Sequence, residues 1–170
     1  MRYRKKGMFA GILGTIVGMT AMLAGTVMAT NPGGTGISLE VLGRATLEAF
    51  RLKQHNFRVI AREANDVVIG ELVINANGDT GWHTHPGPTF ATVAEGEVDL
   101  TIVDERGRCT TERFGPGQGF AEGGGIVHIA RAVGGAPAVL YVTFMAIPPD
   151  VELPNAVIDW SPPAPTGRHC

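Results

Sequence analysis

Basic residues do not exceed acidic ones in this chain of 170 residues, and cysteine is nearly absent. A helical repeat of apolar residues is also hard to find after the first 30 positions. Each shortage excludes something. With 14 Lys+Arg against 16 Asp+Glu, the chain lacks the basic excess of a nucleic-acid-binding surface. Cys109 and Cys170 permit at most one intrachain disulfide, so the choice is between a bridge fastening a proline-rich tail to the body and two unrelated thiols. Neither a nucleophile triad nor a glycine-rich cofactor loop is evident. The length suits one ordinary domain and is short for two.

The N-terminus is organised differently from the rest. Arg2, Arg4, Lys5 and Lys6 precede an uncharged apolar run from Gly7 to Val27, and Val27-Met28-Ala29 offers a small-x-small cleavage site. This predicts a signal peptide over residues 1–29 and a secreted or periplasmic mature protein. The competing reading is a retained anchor, since the run is long enough to span a bilayer, but its five glycines and three threonines weaken it. Cleavage would leave ten basic against 16 acidic residues, a net charge of −6, and no membrane attachment. In an oxidising compartment the Cys109–Cys170 bridge is the favoured alternative.

Residues 30–36, which include Asn-Pro-Gly-Gly-Thr-Gly, read as a linker. From 37 to 148, short runs rich in Val, Ile, Thr and Phe alternate with turn residues at the spacing of all-β domains. The clearest strands are Val67–Ile74, Pro88–Ala94, Val98–Val103, Ile126–Val133 and Ala138–Ile147. Weaker ones fall at Arg44–Phe50, Phe57–Ala61 and Cys109–Phe114, and Leu39–Gln54 has room for a turn of helix. The expected fold is a small all-β jelly-roll barrel, which accommodates many short strands without long open edges. Phe90, Val93, Leu100, Ile102, Phe120, Leu140 and Val142 are its expected filling. Residues 149–170 form a proline-rich tail anchored by Val157, Ile158 and Trp160.

The chemistry concentrates between Gly78 and Gly96. His83 and His85, two apart in an extended segment, point the same way because strand side chains alternate with period two. Parallel imidazoles at that spacing can grip one metal ion, and imidazole suits iron, zinc, nickel and copper. Trp82 either lines a pocket or packs on the opposite face.

The segment resembles the first motif of the cupin superfamily, Gly-x5-His-x-His-x3,4-Glu-x6-Gly. His83 and His85 take the histidine slots, Thr89 falls in the glutamate slot, and Gly96 follows after six residues. Gly117 to Ala132 is similar to the second motif, with Gly117, Gly125 and His128 in place, Gly123 for proline and Ala132 for asparagine. The resemblance implies a double-stranded jelly-roll barrel holding a divalent transition metal (Fe, Zn, Mn, Ni or Cu). The ligands it implies are His83, His85 and His128 with water, because Thr89 offers only a neutral hydroxyl. Three neutral ligands leave the ion its full charge and open coordination positions. Three-histidine cupins include thiol and diketone dioxygenases, so the resemblance extends by analogy to oxygenase chemistry.

Thr89 and Glu122 are the candidates for orienting water or substrate. Glu122, just ahead of Gly123-Gly124-Gly125, reads either as a partner of the site or as a solvated loop carboxylate. Glu95 and Glu97 belong to a turn at the far end, and His55 and His169 to the surface. The leading functional reading is an exported metal-binding cupin, an oxygenase or related enzyme on a small organic molecule. The alternatives are a non-catalytic small-ligand-binding module and a structural domain forming homodimers through its sheet faces.

Overall fold

The computed structural model describes residues 34–153, 157–166 and 170. The proposed signal segment, residues 30–33 of the linker and His169 lie outside the described residues. Ten strands and no helix appear among the described residues. β1 (Thr35–Leu47) lies antiparallel to the long β4 (Asn65–Asp79), with Leu39 opposite Leu72. On its other side β4 pairs β10 (Ala138–Ile147), which pairs β5 (Thr89–Glu95), which pairs β8 (Gly119–Glu122).

The end of β4 passes into a second run of strands. Asp79 stands opposite Arg131 of β9 (His128–Ala132), β9 pairs β6 (Val98–Val103), and β6 pairs β7 (Cys109–Phe114). The path β7-β6-β9-β4-β10-β5-β8 therefore curls almost closed, an all-β jelly roll as the strand rhythm predicts. Phe114 of β7 and Phe120 of β8 come together where its two ends approach, with ring centroids 5.0 Å apart. A separate hairpin, β2 (Phe50–Gln54) with β3 (Phe57–Ala61), stands outside this sheet.

Alternation decides what fills the barrel. Thr89, Ala91 and Val93 of β5 face inward, as do Leu140, Val142 and Phe144 of β10, and Val98 and Leu100 of β6. Ile102 and Phe120 pack against this core half-buried. Phe90 does not fill it: it stands on the opposite parity of β5 and is 43% exposed. Apolar residues fill a core by default, but a period of two sends neighbours of inward residues to the outer face.

The N-terminal part also differs from expectation. β1 begins at Thr35, inside the stretch read as linker, and continues to Leu47 with no helical turn. Ile37, Leu39 and Val41 supply its inward face, which a register shift between Val41 and Gly43 interrupts. That shift breaks the alternation a sequence reader would follow.

The tail closes one side of the barrel. Arg44 on β1 pairs with buried Asp66, and its guanidinium nitrogens donate to the carbonyls of Pro148, Pro149 and Val151. Farther on, Val157 and Ile158 are buried in the core, and Thr84 and Asp159 exchange backbone hydrogen bonds of 2.9 Å. Trp160 Nε1 donates to the Thr80 carbonyl at 3.0 Å. Cys109 and Cys170 are joined by a disulfide, with Cα atoms 5.3 Å apart. The expected anchors of the tail are thus the residues that hold it.

Candidate metal centre

Three histidines arrive from two segments. His83 and His85 stand on the extended stretch after β4, separated by Thr84, so both rings turn inward. His128 opens β9 and pairs directly with His83, the two residues exchanging backbone N–H···O bonds of 3.0 Å. Directly paired residues project side chains to the same face, and the His83 and His128 ring centroids are 4.1 Å apart. All three side chains are buried.

Their orientation is fixed by the backbone. His83 Nδ1 donates to the Gly81 carbonyl at 2.8 Å, His128 Nδ1 to the Ile126 carbonyl at 2.9 Å, and His85 Nδ1 to the Val157 carbonyl of the tail. A carbonyl oxygen only accepts, so each Nδ1 carries the proton and each Nε2 presents a lone pair. The three ligand nitrogens lie within 4.8 Å of one another. Lone pairs converging in a buried space, each backed by a carbonyl, form the arrangement that a divalent ion bound to imidazole requires. His83, His85 and His128 can therefore hold a metal, which agrees with the sequence expectation.

Electrostatics keeps the lone pairs available. Burial holds His83 well below the usual imidazole range, with the neighbouring His128 and His85 adding to the effect. Burial lowers His85 to about 4, and burial with the nearby His85 lowers His128 to about 3. Neutral imidazoles are the metal-binding form.

Glu122 is not a solvated loop carboxylate. It ends β8 buried, directly opposite Thr89 of β5. Glu122 Oε2 lies 3.1 Å from His128 Nε2 and 3.6 Å from His85 Nε2. Burial pushes its carboxyl up to about 8. Two polar atoms here, Glu122 Oε1 and Thr89 Oγ1, are buried without a hydrogen-bond partner, a costly condition that a bound ion or water relieves. Glu122 shares the parity of Phe120, so reading β8 as a strand would have turned it inward.

The cavity among these residues measures about 40 Å³ and is otherwise lined by apolar side chains such as Leu39, Leu140 and Ile158. That holds one or two water molecules, not an organic ring. A far larger hollow, about 710 Å³, lies between the β2–β3 hairpin and the end of β10. Its lining brings together no cluster of metal-ligating groups among the described residues, whereas the smaller space holds all three histidines. Trp82 faces away from the histidines, with the Arg131 guanidinium 5.8 Å from its ring centre. Glu95, Glu97 and His55 are exposed and remote from the cluster.

The glycine run beside the site has a steric reason. A Cβ on Gly124 would stand 2.8 Å from the Pro86 carbonyl oxygen, and Gly125 donates its N–H to the His85 carbonyl at 2.8 Å. Only glycine allows the β8–β9 loop to lie this close to the histidine-bearing segment. What the sequence could not disclose are the backing carbonyls of Gly81, Ile126 and Val157, since a backbone acceptor leaves no side-chain signature.

Residues 70–144, which include all five of His83, His85, Thr89, Glu122 and His128, match the family model described as the cupin domain. The match over these residues, lying in a jelly-roll barrel, supports a place in the cupin superfamily. Among solved structures, the polyketide cyclase RemF from Streptomyces resistomycificus is similar at 22% identity and a TM-score of 0.51, covering 76% of this chain and 78% of that one. An oxalate oxidase is similar at 22% identity and a TM-score of 0.43, over 46% of this chain and 41% of that chain. An oxalate decarboxylase from Bacillus subtilis gives 22% and 0.43, over 47% and 21%. The chain therefore spans well under half the length of the oxalate enzymes it resembles. No curated protein matches. At this identity the likeness is one of fold.

Proposed function

We propose that this is an exported cupin that binds one divalent transition metal on His83, His85 and His128 and uses it on a small organic molecule. The observation that carries the reading is the convergence of three buried Nε2 atoms whose Nδ1 partners are all backbone carbonyls. When bound, such an ion supplies Lewis-acid or oxygen-activating chemistry. The chain's own groups do the rest: the barrel excludes bulk water, Thr89 Oγ1 is free to orient a water or substrate atom, and Glu122 places a carboxyl beside His128. Export rests on the basic cluster and apolar run of residues 1–29.

The size of the cavity favours a second reading, a non-catalytic module. About 40 Å³ admits the donor atom of an organic molecule but not its body.

The test is metal content. The full chain, expressed with export and loaded with metal, is expected to retain one ion per chain by mass spectrometry. A His83→Ala/His85→Ala variant is expected to retain none. Equal retention in the two would remove the metal site. The mature protein is expected to begin at Thr30; a chain starting at Met1 contradicts export by cleavage. Oxygen uptake with thiol, diketone and phenolic substrates separates the oxygenase from the binding module.

A further inference from the structure

Glu122 places an oxygen where a hydrogen bond alone does not account for it. Oε2 faces the lone-pair nitrogens of both His128 and His85, at 3.1 and 3.6 Å. Neither nitrogen carries a proton, because each ring's proton is committed to a carbonyl. A carboxylate there meets two lone pairs, and a carboxylic acid can donate to only one of them. A cation in contact with all three atoms satisfies them together. Donors bound to one ion at about 2.1 Å lie about 3.0–3.4 Å apart at octahedral or tetrahedral angles, which is close to the separations Glu122 makes. Oε1 of the same carboxyl and Thr89 Oγ1 remain unpartnered, so no competing hydrogen bond holds the group elsewhere.

We propose that Glu122 is a fourth protein ligand of the metal, delivered from β8. The position opposite it in the register, Thr89 on β5, is small and neutral. Carboxylates on both paired positions would enter the same space, and this chain places one there, on Glu122. The inference rests on the three-histidine reading and changes its charge: the centre is three imidazoles and a carboxylate, and the ion's effective charge falls from 2+ to 1+. A carboxylate also favours harder divalent ions such as manganese more than three imidazoles alone do.

Cobalt(II) is a suitable probe because its visible bands report ligand number and type. The full chain is titrated with Co(II) alongside Glu122→Gln, Thr89→Glu/Glu122→Ala and His83→Ala/His85→Ala. Glu122→Gln keeps shape and removes charge; it is expected to weaken Co(II) at least about tenfold and to shift the visible bands. Thr89→Glu/Glu122→Ala moves the carboxylate to the paired strand and is expected to recover most of the affinity. A folded Glu122→Gln protein, verified by circular dichroism, with wild-type affinity and unchanged bands overturns the proposal and leaves the histidine site standing. Wild-type protein binding no more Co(II) than the double-histidine variant overturns both.

Discussion

The two hollows of this molecule differ in nearly every respect. One is a small cavity of about 40 Å³ ringed by buried histidines, and the other is a hollow of about 710 Å³ beside a hairpin whose Leu52 and Phe57 are each 59% exposed. The small space carries buried polar groups, whereas the charged side chains at the large one, Arg58, Arg62 and Glu63, are exposed. The candidate metal site in this fold lies where desolvated donors converge, not where the volume is greatest.

The comparison breaks most readily through the end of the tail, from Val157 on, which meets the small cavity and not the large one. A chain ending at residue 156 loses the buried Val157 and Ile158, worth about 1.5–3 kcal/mol each, the carbonyl that orients His85, and the Cys109–Cys170 disulfide. The expected outcome is a stability loss in denaturant unfolding of about 3–6 kcal/mol from the two side chains and about 2–4 kcal/mol more from the disulfide, with metal affinity at least about tenfold weaker. Unchanged metal affinity would show that the tail does not set the His85 ring.

Acid sharpens the contrast next. His85 and His128 titrate at about 4 and about 3 in the folded metal-free protein, against an ordinary 6.5, and His83 also lies well below that value. Between pH 6.5 and the folded values the unfolded chain binds protons that the native one does not, so stability falls as pH falls. Glu122 acts in the opposite sense: its folded value of about 8, against 4.5, gives a contribution fully present below 4.5 and lost as pH rises to 8. Three imidazoles outweigh one carboxyl, so stability of chelator-treated protein is expected to peak near pH 6.5. His85 and His128 set against Glu122 give a net loss of about 1 kcal/mol by pH 5, to which His83 adds in the same direction. Denaturation at stepped pH checks this, and a curve flat from 6.5 to 5 contradicts it.

The smallest effect is expected at the hairpin. Leu52→Ser and Phe57→Ser, both on exposed side chains, are expected to change unfolding free energy by less than about 0.5 kcal/mol and to leave metal content unaltered. A loss of bound metal in either would tie the hairpin to the centre.

Much of the barrel was legible because alternation and turn spacing are written in side chains. Val98, Leu100, Leu140 and Val142 announced their inward faces, and the paired slots of His83, His85 and His128 announced the cluster. Phe90 departs from the expected filling because it stands on the outer parity of β5. β8 was missed since four residues bounded by glycines carry little periodicity, and with it went the inward direction of Glu122. The tail's hold on His85 runs through a main-chain oxygen, which every residue possesses and no sequence pattern marks.

The central claim is a histidine-ligated ion inside the barrel, and X-ray absorption at the metal edge of the loaded full chain tests it most directly. The expected spectrum has a first shell of nitrogen and oxygen at about 2.0–2.2 Å, with the multiple scattering of three imidazoles behind it. A shell of oxygen alone, with no imidazole scattering, would contradict the account.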